Sequence, residues 1–360
     1  MDALVLTGPR QLERRSFDRP DLGDDDGILR VEACGLCGTD HELWTGMLPS
    51  RYEFVPGHEI IGVVEELGPV AEQRWGVRAG DRVAVEVFQR CGRCAPCRSG
   101  DYRWCERHGL SDQIGNIDVQ RAPGIWGGYG THLYLPPDAL LLPVPDGLDP
   151  VLATVFNPLG AGLRWTQEVG QVGQGDVVAV LGPGMRGLAS AVAAKDAGAS
   201  FVLVTGAGER DRPRLELARA FGADLVVDVL EEDPRAALKR AVGGLADVVV
   251  DVTANAPDAF VQGMGLARPR GRMVVAGTRG PRATVPISPD RIVFKELTIV
   301  GAVGVDATNY ERALAIIASG RYPFEEIDRQ VADLGGTSEL LGVMSGEHGG
   351  ARPTHGVVVP

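Results

Sequence analysis

The sequence predicts an α/β protein in two parts, a β-rich first half followed by a doubly wound parallel sheet. Three observations predict it. The first half carries short alternating runs such as "ILRVEA" from Ile28, "GVVEEL" from Gly62 and "DRVAVEV" from Asp81, broken by Gly, Pro and Asp clusters. From about Pro150 the texture changes to apolar runs alternating with helical stretches: 176–182, 201–206, 224–229, 247–253 and 272–277. Buried runs separated by helices are the pattern of a parallel sheet. Finally, Gly182, Gly184 and Gly187 form G-x-G-x-x-G between the first of these runs and an alanine-rich helical stretch.

A chain of 360 residues exceeds one ordinary core. The expected boundaries are 1–150 for the β-rich domain, 151–300 for the dinucleotide-binding domain and 301–360 for a mixed segment returning to the first. With 44% hydrophobic and 23% charged residues the composition is that of an ordinary globular protein. No apolar run reaches a membrane span, so no membrane partner is expected. A net charge of -12 without a basic patch disfavours nucleic acid. The opening MDALVLTGPR lacks the marks of an export signal, which predicts a reducing, cytoplasmic location.

In the glycine turn, Gly182 permits the tight bend, Gly184 lets a pyrophosphate approach the backbone, and Gly187 lets helix and strand pack closely. Amides at the helix start, those of Met185 and Arg186 included, would face the phosphate charge. An acidic residue about twenty positions on would grip the ribose of NAD. This sequence has Thr205 and Gly206 there, followed by Arg210 and Arg212. The expectation is NAD(P), tipped towards NADP. The competing reading is that Glu209 and Asp211 cancel both arginines in a solvated charge run.

Four of the six cysteines lie in "QRCGRCAPCRSGDYRWC". Cys91, Cys94 and Cys97 recur every third residue, too close to pair comfortably with one another but suited to converge on one ion with Cys105. Gly92, Pro96, Ser99 and Gly100 let the chain curl round it. Four thiolates match the closed tetrahedral shell of a structural zinc, so a lobe over about 91–105 is expected.

The other two cysteines lie in "VEACGLCGTDHELW", ahead of "VPGHEIIGVVEELG". Cys37, His58 and Glu59 supply a thiol, an imidazole and a carboxylate, the ligand types of a catalytic zinc that keeps one position open. With these motifs in place, the chain resembles the zinc-dependent medium-chain dehydrogenase/reductase superfamily of alcohol, polyol and threonine dehydrogenases. The resemblance covers nearly the whole chain: Cys-Gly-Thr-Asp, Gly-His-Glu with Gly62 and Gly68, the four-cysteine lobe and the glycine turn.

The resemblance implies a GroES-like catalytic domain beside a Rossmann domain, and two zinc ions per chain. It implies that Cys37 and His58 hold the catalytic zinc, with Glu59 binding it directly or supporting it from behind. Thr39 matches the hydroxyl that relays the substrate proton, Asp40 the carboxylate that orients the imidazole, and His41 is a candidate extension of the relay. Cys34 corresponds to no ligand and is expected as a small buried residue. His108, His132, His348 and His355 lack a motif and are expected to be structural.

Relatives carry a further cysteine or carboxylate near the domain junction; here "TVFNPLG" offers Asn157, a poor zinc ligand. The implied activity is oxidation of a secondary alcohol, polyol or cyclitol hydroxyl, or reduction of its carbonyl, by hydride transfer with NAD(P). The implied partner is a small alcohol or carbonyl substrate, and the implied assembly a homodimer or homotetramer with "KELTIVGAV" as intersubunit strand. An epimerase with permanently bound nicotinamide and a non-catalytic nucleotide-binding protein are the alternatives.

Overall fold

A computed structural model describes every residue except 51, 281–282 and 349–351. The chain forms two compact units. One comprises residues 1–157, 306–319 and 324–360, and the other residues 158–305 and 320–323.

In the first unit, β1 (Asp2–Gly8) and β2 (Gln11–Ser16) form an antiparallel pair. The long β3 (Gly27–Leu36) lies beside β4 (Glu59–Leu67), which continues through β5 (Arg82–Val85). On its other edge β3 meets β6 (His132–Leu135) along its first residues, while β7 (Leu141–Pro143) flanks β5. Two close approaches explain glycines here. A Cβ at Gly62 would come within 2.4 Å of the Arg30 carbonyl across the β3–β4 pair, and one at Gly187 in the second unit within 1.8 Å of the Gly182 carbonyl.

The second unit is a six-stranded, wholly parallel sheet. Its strands are β8 (Val177–Leu181), β9 (Phe201–Gly206), β10 (Leu225–Asp228), β11 (Ala246–Asp251), β12 (Ala267–Val275) and β13 (Thr298–Gly301). The order β10-β9-β8-β11-β12-β13 reverses between β8 and β11, the switch point at which such sheets bind ligands. All five apolar runs became strands. The last extends further back than "RMVVAG" suggests, because β12 also pairs through Ala267 with Ala246 across a register shift, with Arg270 at φ 62°. Lys295, expected to open a strand, instead ends the helix Asp290–Lys295, its ammonium held by the carbonyls of Met264, Gly265 and Ala267.

The C-terminal segment supplies the helix Ala307–Ala318 and two further strands of the first unit's sheet, β14 (Arg329–Ala332) and β15 (His355–Val358). β15 pairs antiparallel with the end of β3, giving the order β14-β15-β3-β4-β5-β7.

Candidate active site

Cys37 directly follows β3 and caps the eight-residue helix Gly38–Thr45; the Asp40 carboxylate accepts its backbone N–H at 2.8 Å. His58 enters β4 after Gly57, whose φ of 92° and lack of a Cβ let the Tyr129 ring and the Cys34 sulfur close in. Glu59 is the first residue of β4 and pairs with Gly35 of β3. These elements bring the ligand atoms of Cys37, His58 and Glu59 within 4.8 Å of one another.

Behind them, Asp40 Oδ1 lies 3.7 Å from His58 Nδ1, leaving Nε2 to face the other two side chains. Asp40 Oδ1 has no hydrogen-bond partner among the described residues. Burial pushes the Asp40 carboxyl up, partly offset by His58 and by backbone amides. Burial alone would push His58 down, but Asp40, Cys37 and Glu59 outweigh it and raise the imidazole to about 10. The cluster thus attracts positive charge to the place where its three ligand types meet, which fits a borderline-soft divalent cation.

Thr39 is half-buried, with its Oγ1 3.7 Å from Cys37 Sγ. His41 is half-buried in the field of Glu347, Arg352 and Arg10, and burial lowers its pKa. Cys34 is fully buried, its thiol pushed well up by burial. Asn157 is buried, and its amide nitrogen donates to Tyr310 Oη at 2.9 Å.

The four lobe cysteines also converge. Sγ of Cys91 lies 3.9 Å from that of Cys97, and Sγ of Cys94 lies 3.9 Å from that of Cys105. A tetrahedron with zinc–sulfur bonds of 2.3 Å has edges of about 3.8 Å. Amides of Arg93 and Cys94 hold the Cys91 thiol down to about 6, whereas burial pushes Cys97 up to about 12. The cluster favours thiolate at one position and resists it at the next, which a shared cation would relieve. Tyr102 and Arg103 anchor the lobe: Tyr102 Oη lies 2.6 Å from the buried Glu86 carboxylate and accepts from the amide of Ala307, and Arg103 pairs with Asp101 and Asp306.

At the parallel sheet's switch point, Gly182 adopts φ 102° and its amide donates to the Thr205 carbonyl. Gly184 caps the helix Met185–Asp196, and a Cβ there would meet nothing within 4 Å. That open face beside the first helical amides, those of Met185 and Arg186, suits a pyrophosphate. Arg186 stacks on Trp165. Thr205 is buried at the end of β9. Of the two expected arginines, Arg212 is held by Glu209 at 2.9 Å and Glu231 at 3.0 Å. Arg210 is exposed and has no ion-pair partner among the described residues. Facing this turn is a pair that sequence reading missed. The fully buried Asp251 accepts from Arg279 and from the Thr253 hydroxyl, and Thr253 packs on Gly182. Its signal was a second carboxylate, after Asp247, set inside the apolar run "DVVVDVT".

Residues 23–146 match the family described as "Alcohol dehydrogenase GroES-like domain" and residues 187–319 the one described as "Zinc-binding dehydrogenase". Over 359 residues, 99% of this chain and 98% of its relative, the sequence is 59% identical to "Probable alcohol dehydrogenase adh" of Mycobacterium tuberculosis. The chain belongs to the zinc-dependent medium-chain dehydrogenase/reductase superfamily. This dehydrogenase is an NAD(P)-dependent oxidoreductase acting on CH–OH groups. It is also 32% identical to "Erythritol/L-threitol dehydrogenase" of Mycolicibacterium smegmatis over 91% of this chain and 89% of that one. Among solved structures it resembles a "putative zinc-binding dehydrogenase" of Sinorhizobium meliloti bound to NADP, at TM-score 0.85 and 28% identity, covering 100% of this chain and 99% of that one. No helix among the described residues is long and apolar enough to cross a membrane.

Proposed function

We propose that this dehydrogenase oxidises a secondary alcohol, with polyols and cyclitols as the favoured class, using one catalytic zinc, one structural zinc and NADP in preference to NAD. The observation that carries the reading is the meeting of Cys37, His58 and Glu59 within 4.8 Å, with Asp40 behind His58 Nδ1. Zinc held there supplies a Lewis acid for the substrate oxygen, and bound NAD(P) supplies the hydride acceptor or donor. Asp40 fixes the His58 ring with Nε2 towards the metal position. Thr39 Oγ1 takes the hydroxyl proton of the substrate and gives up its own outward, with His41 as a further station. Cys91, Cys94, Cys97 and Cys105 hold the second ion and the lobe.

The polyol preference is supported by the erythritol-type relative and by Asn157 standing where a cysteine or carboxylate is expected. NADP is supported by the absence of a carboxylate at Thr205–Gly206, by the unpaired Arg210 and by the NADP held by the Sinorhizobium relative. A homodimer or homotetramer is supported by β13, which ends its sheet beside Val293 and Phe294, 67% and 83% exposed. A reducing cytoplasm suits the thiol clusters.

Zinc analysis with a panel of alcohols, polyols and their carbonyls, on both cofactors, tests the reading. About two zinc ions per chain are expected, falling to about one in His58→Ala, which still binds dinucleotide but has no turnover. Asn157→Ala should keep about two, since a carboxamide adds little to zinc binding. Full activity in His58→Ala would refute the metal-centred reading, and loss of the catalytic zinc in Asn157→Ala would make the carboxamide a ligand.

A further inference from the structure

His355 carries no sequence motif, yet the sheet delivers it to the back of the candidate metal site. Four neighbouring strands place Arg329 on β14, His355 on β15, Gly35 on β3 and Glu59 on β4. Arg329 is in register with His355, and Gly35 with Glu59. All of the His355 side chain but about 1% is buried, and so is Glu59 to within 2%. Such burial of a polar ring is costly unless both nitrogens find partners.

One nitrogen has a partner. Arg329 Nε donates to His355 Nδ1 at 3.3 Å. A guanidinium has donors only, so Nδ1 must be the accepting nitrogen and the ring proton sits on Nε2. That Nε2–H has no hydrogen-bond partner among the described residues. Glu59 Oε2 lies 3.9 Å from it, about 1 Å beyond a charge-assisted hydrogen bond. Between them stands Gly35, where a Cβ would come within 2.3 Å of Glu59 Oε2 and 3.2 Å of His355 Nε2. The missing side chain leaves the carboxylate free to swing onto the ring.

We propose that His355 is a positioning residue for Glu59. Its Nε2–H, fixed by Arg329, holds the Oε2 oxygen and leaves the other oxygen to face the metal position shared with Cys37 and His58. Glu59 then meets the ion through one oxygen, and the site keeps an open place for substrate. This rests on the reading of Cys37, His58 and Glu59 as the catalytic metal site, and names the part of the chain that orients its carboxylate.

Metal affinity of the dinucleotide-free protein, measured by chelator competition, and the visible spectrum of the cobalt-substituted protein test it without turnover. His355→Leu should weaken the catalytic metal by roughly 10- to 100-fold and alter the cobalt bands, and His355→Gln, which keeps a donor, should restore both to within a few-fold. In a Glu59→Ala background, which removes the acceptor, His355→Leu should cost nothing further. Arg329→Met, which frees the ring to change tautomer, should give a smaller loss in the same direction and serves if His355→Leu does not fold. Unchanged affinity and spectrum in His355→Leu, an equal loss in His355→Gln, or an undiminished loss in the Glu59→Ala background would overturn the proposal. If the parent protein binds metal at the cysteine lobe alone, the reading of the site has failed; if it binds at both places and the His355 variants match it, only this inference has.

Discussion

Glu86 makes a prediction about stability that depends on pH and not on catalysis. It is fully buried, takes the amide of Phe88 at 3.2 Å and the hydroxyl of Tyr102 at 2.6 Å, and its pKa is raised from 4.5 to about 8. Burial is the main cause; the Tyr102 and Phe88 hydrogen bonds offset part of it, and Asp306 adds repulsion. Between pH 4.5 and about 8 the folded protein holds a proton that the unfolded chain has released, so stability falls as pH rises through this window. The slope is about 1.4 kcal/mol per pH unit, and the whole window is worth on the order of 5 kcal/mol. Glu86→Gln copies the protonated acid, its carbonyl facing Phe88 N–H and its amide nitrogen facing Tyr102 Oη. Melting temperatures of both proteins at pH 6 and pH 8 isolate the contribution. The parent should lose about 2 kcal/mol more than the variant over that interval, roughly 4–8 °C for a unit of this size. The variant should be the more stable at pH 8 and above. Parallel melting curves across the interval, or a variant that melts lower at pH 8, would refute the argument.

Two further outcomes follow from the lobe and the cofactor turn. Cys94→Ser should lower zinc content from about two to about one per chain and lower the melting temperature, because three ligands leave the lobe underdetermined; a variant with full zinc and an unchanged melt would refute the structural site. Arg210→Ala should raise KM for NADP by roughly 10-fold, the worth of a charge-assisted hydrogen bond, and leave KM for NAD unchanged. Arg212→Ala should do less, because Glu209 and Glu231 already occupy that guanidinium; equal effects on both cofactors would assign the arginines to a solvated charge run.

The parts of the fold legible in the sequence are those whose signal is local. The apolar runs became β8 to β12 because alternation with helices leaves them no polar face, and the glycine turn could be read because Gly182, Gly184 and Gly187 each answer a steric demand within a few residues. The cysteines of the lobe share one short loop, so their convergence was visible in their spacing. Cys37 and His58 lie twenty-one positions apart and were found through motifs, not periodicity. What stayed hidden depends on partners far along the chain. Asn157 meets Tyr310, Asp251 meets Arg279, and His355 reaches Glu59 only because β15 pairs with β3. A carboxylate set among apolar residues was the only local trace, in "VAVEVF" for Glu86 and "DVVVDVT" for Asp251, without naming the partner.

Charge balance at these buried carboxylates separates structural positions from the candidate metal site. An ionised carboxyl cannot stay buried without compensation. Asp251 receives a guanidinium from Arg279. Glu86 keeps a proton, its pKa raised to about 8. Asp40 and Glu59 have no such cation: among the described residues no lysine or arginine lies within ion-pair distance of either, and the basic side chains beside them are the imidazoles of His58 and His355. The Cys37 thiol adds a third group able to carry negative charge, and together the three draw the imidazole of His58 up to about 10. A proton on His58 would occupy the Nε2 lone pair that faces Cys37 and Glu59, so in the protein alone the charge deficit is met by disabling the ligand. A divalent cation meets the same deficit while using that lone pair, the thiolate and a carboxylate oxygen as bonds. The reading of this cluster as a metal site therefore rests on electrostatics as well as on ligand types, and it carries a pH signature: metal binding must displace the His58 proton, so metal affinity should fall steeply as pH is lowered.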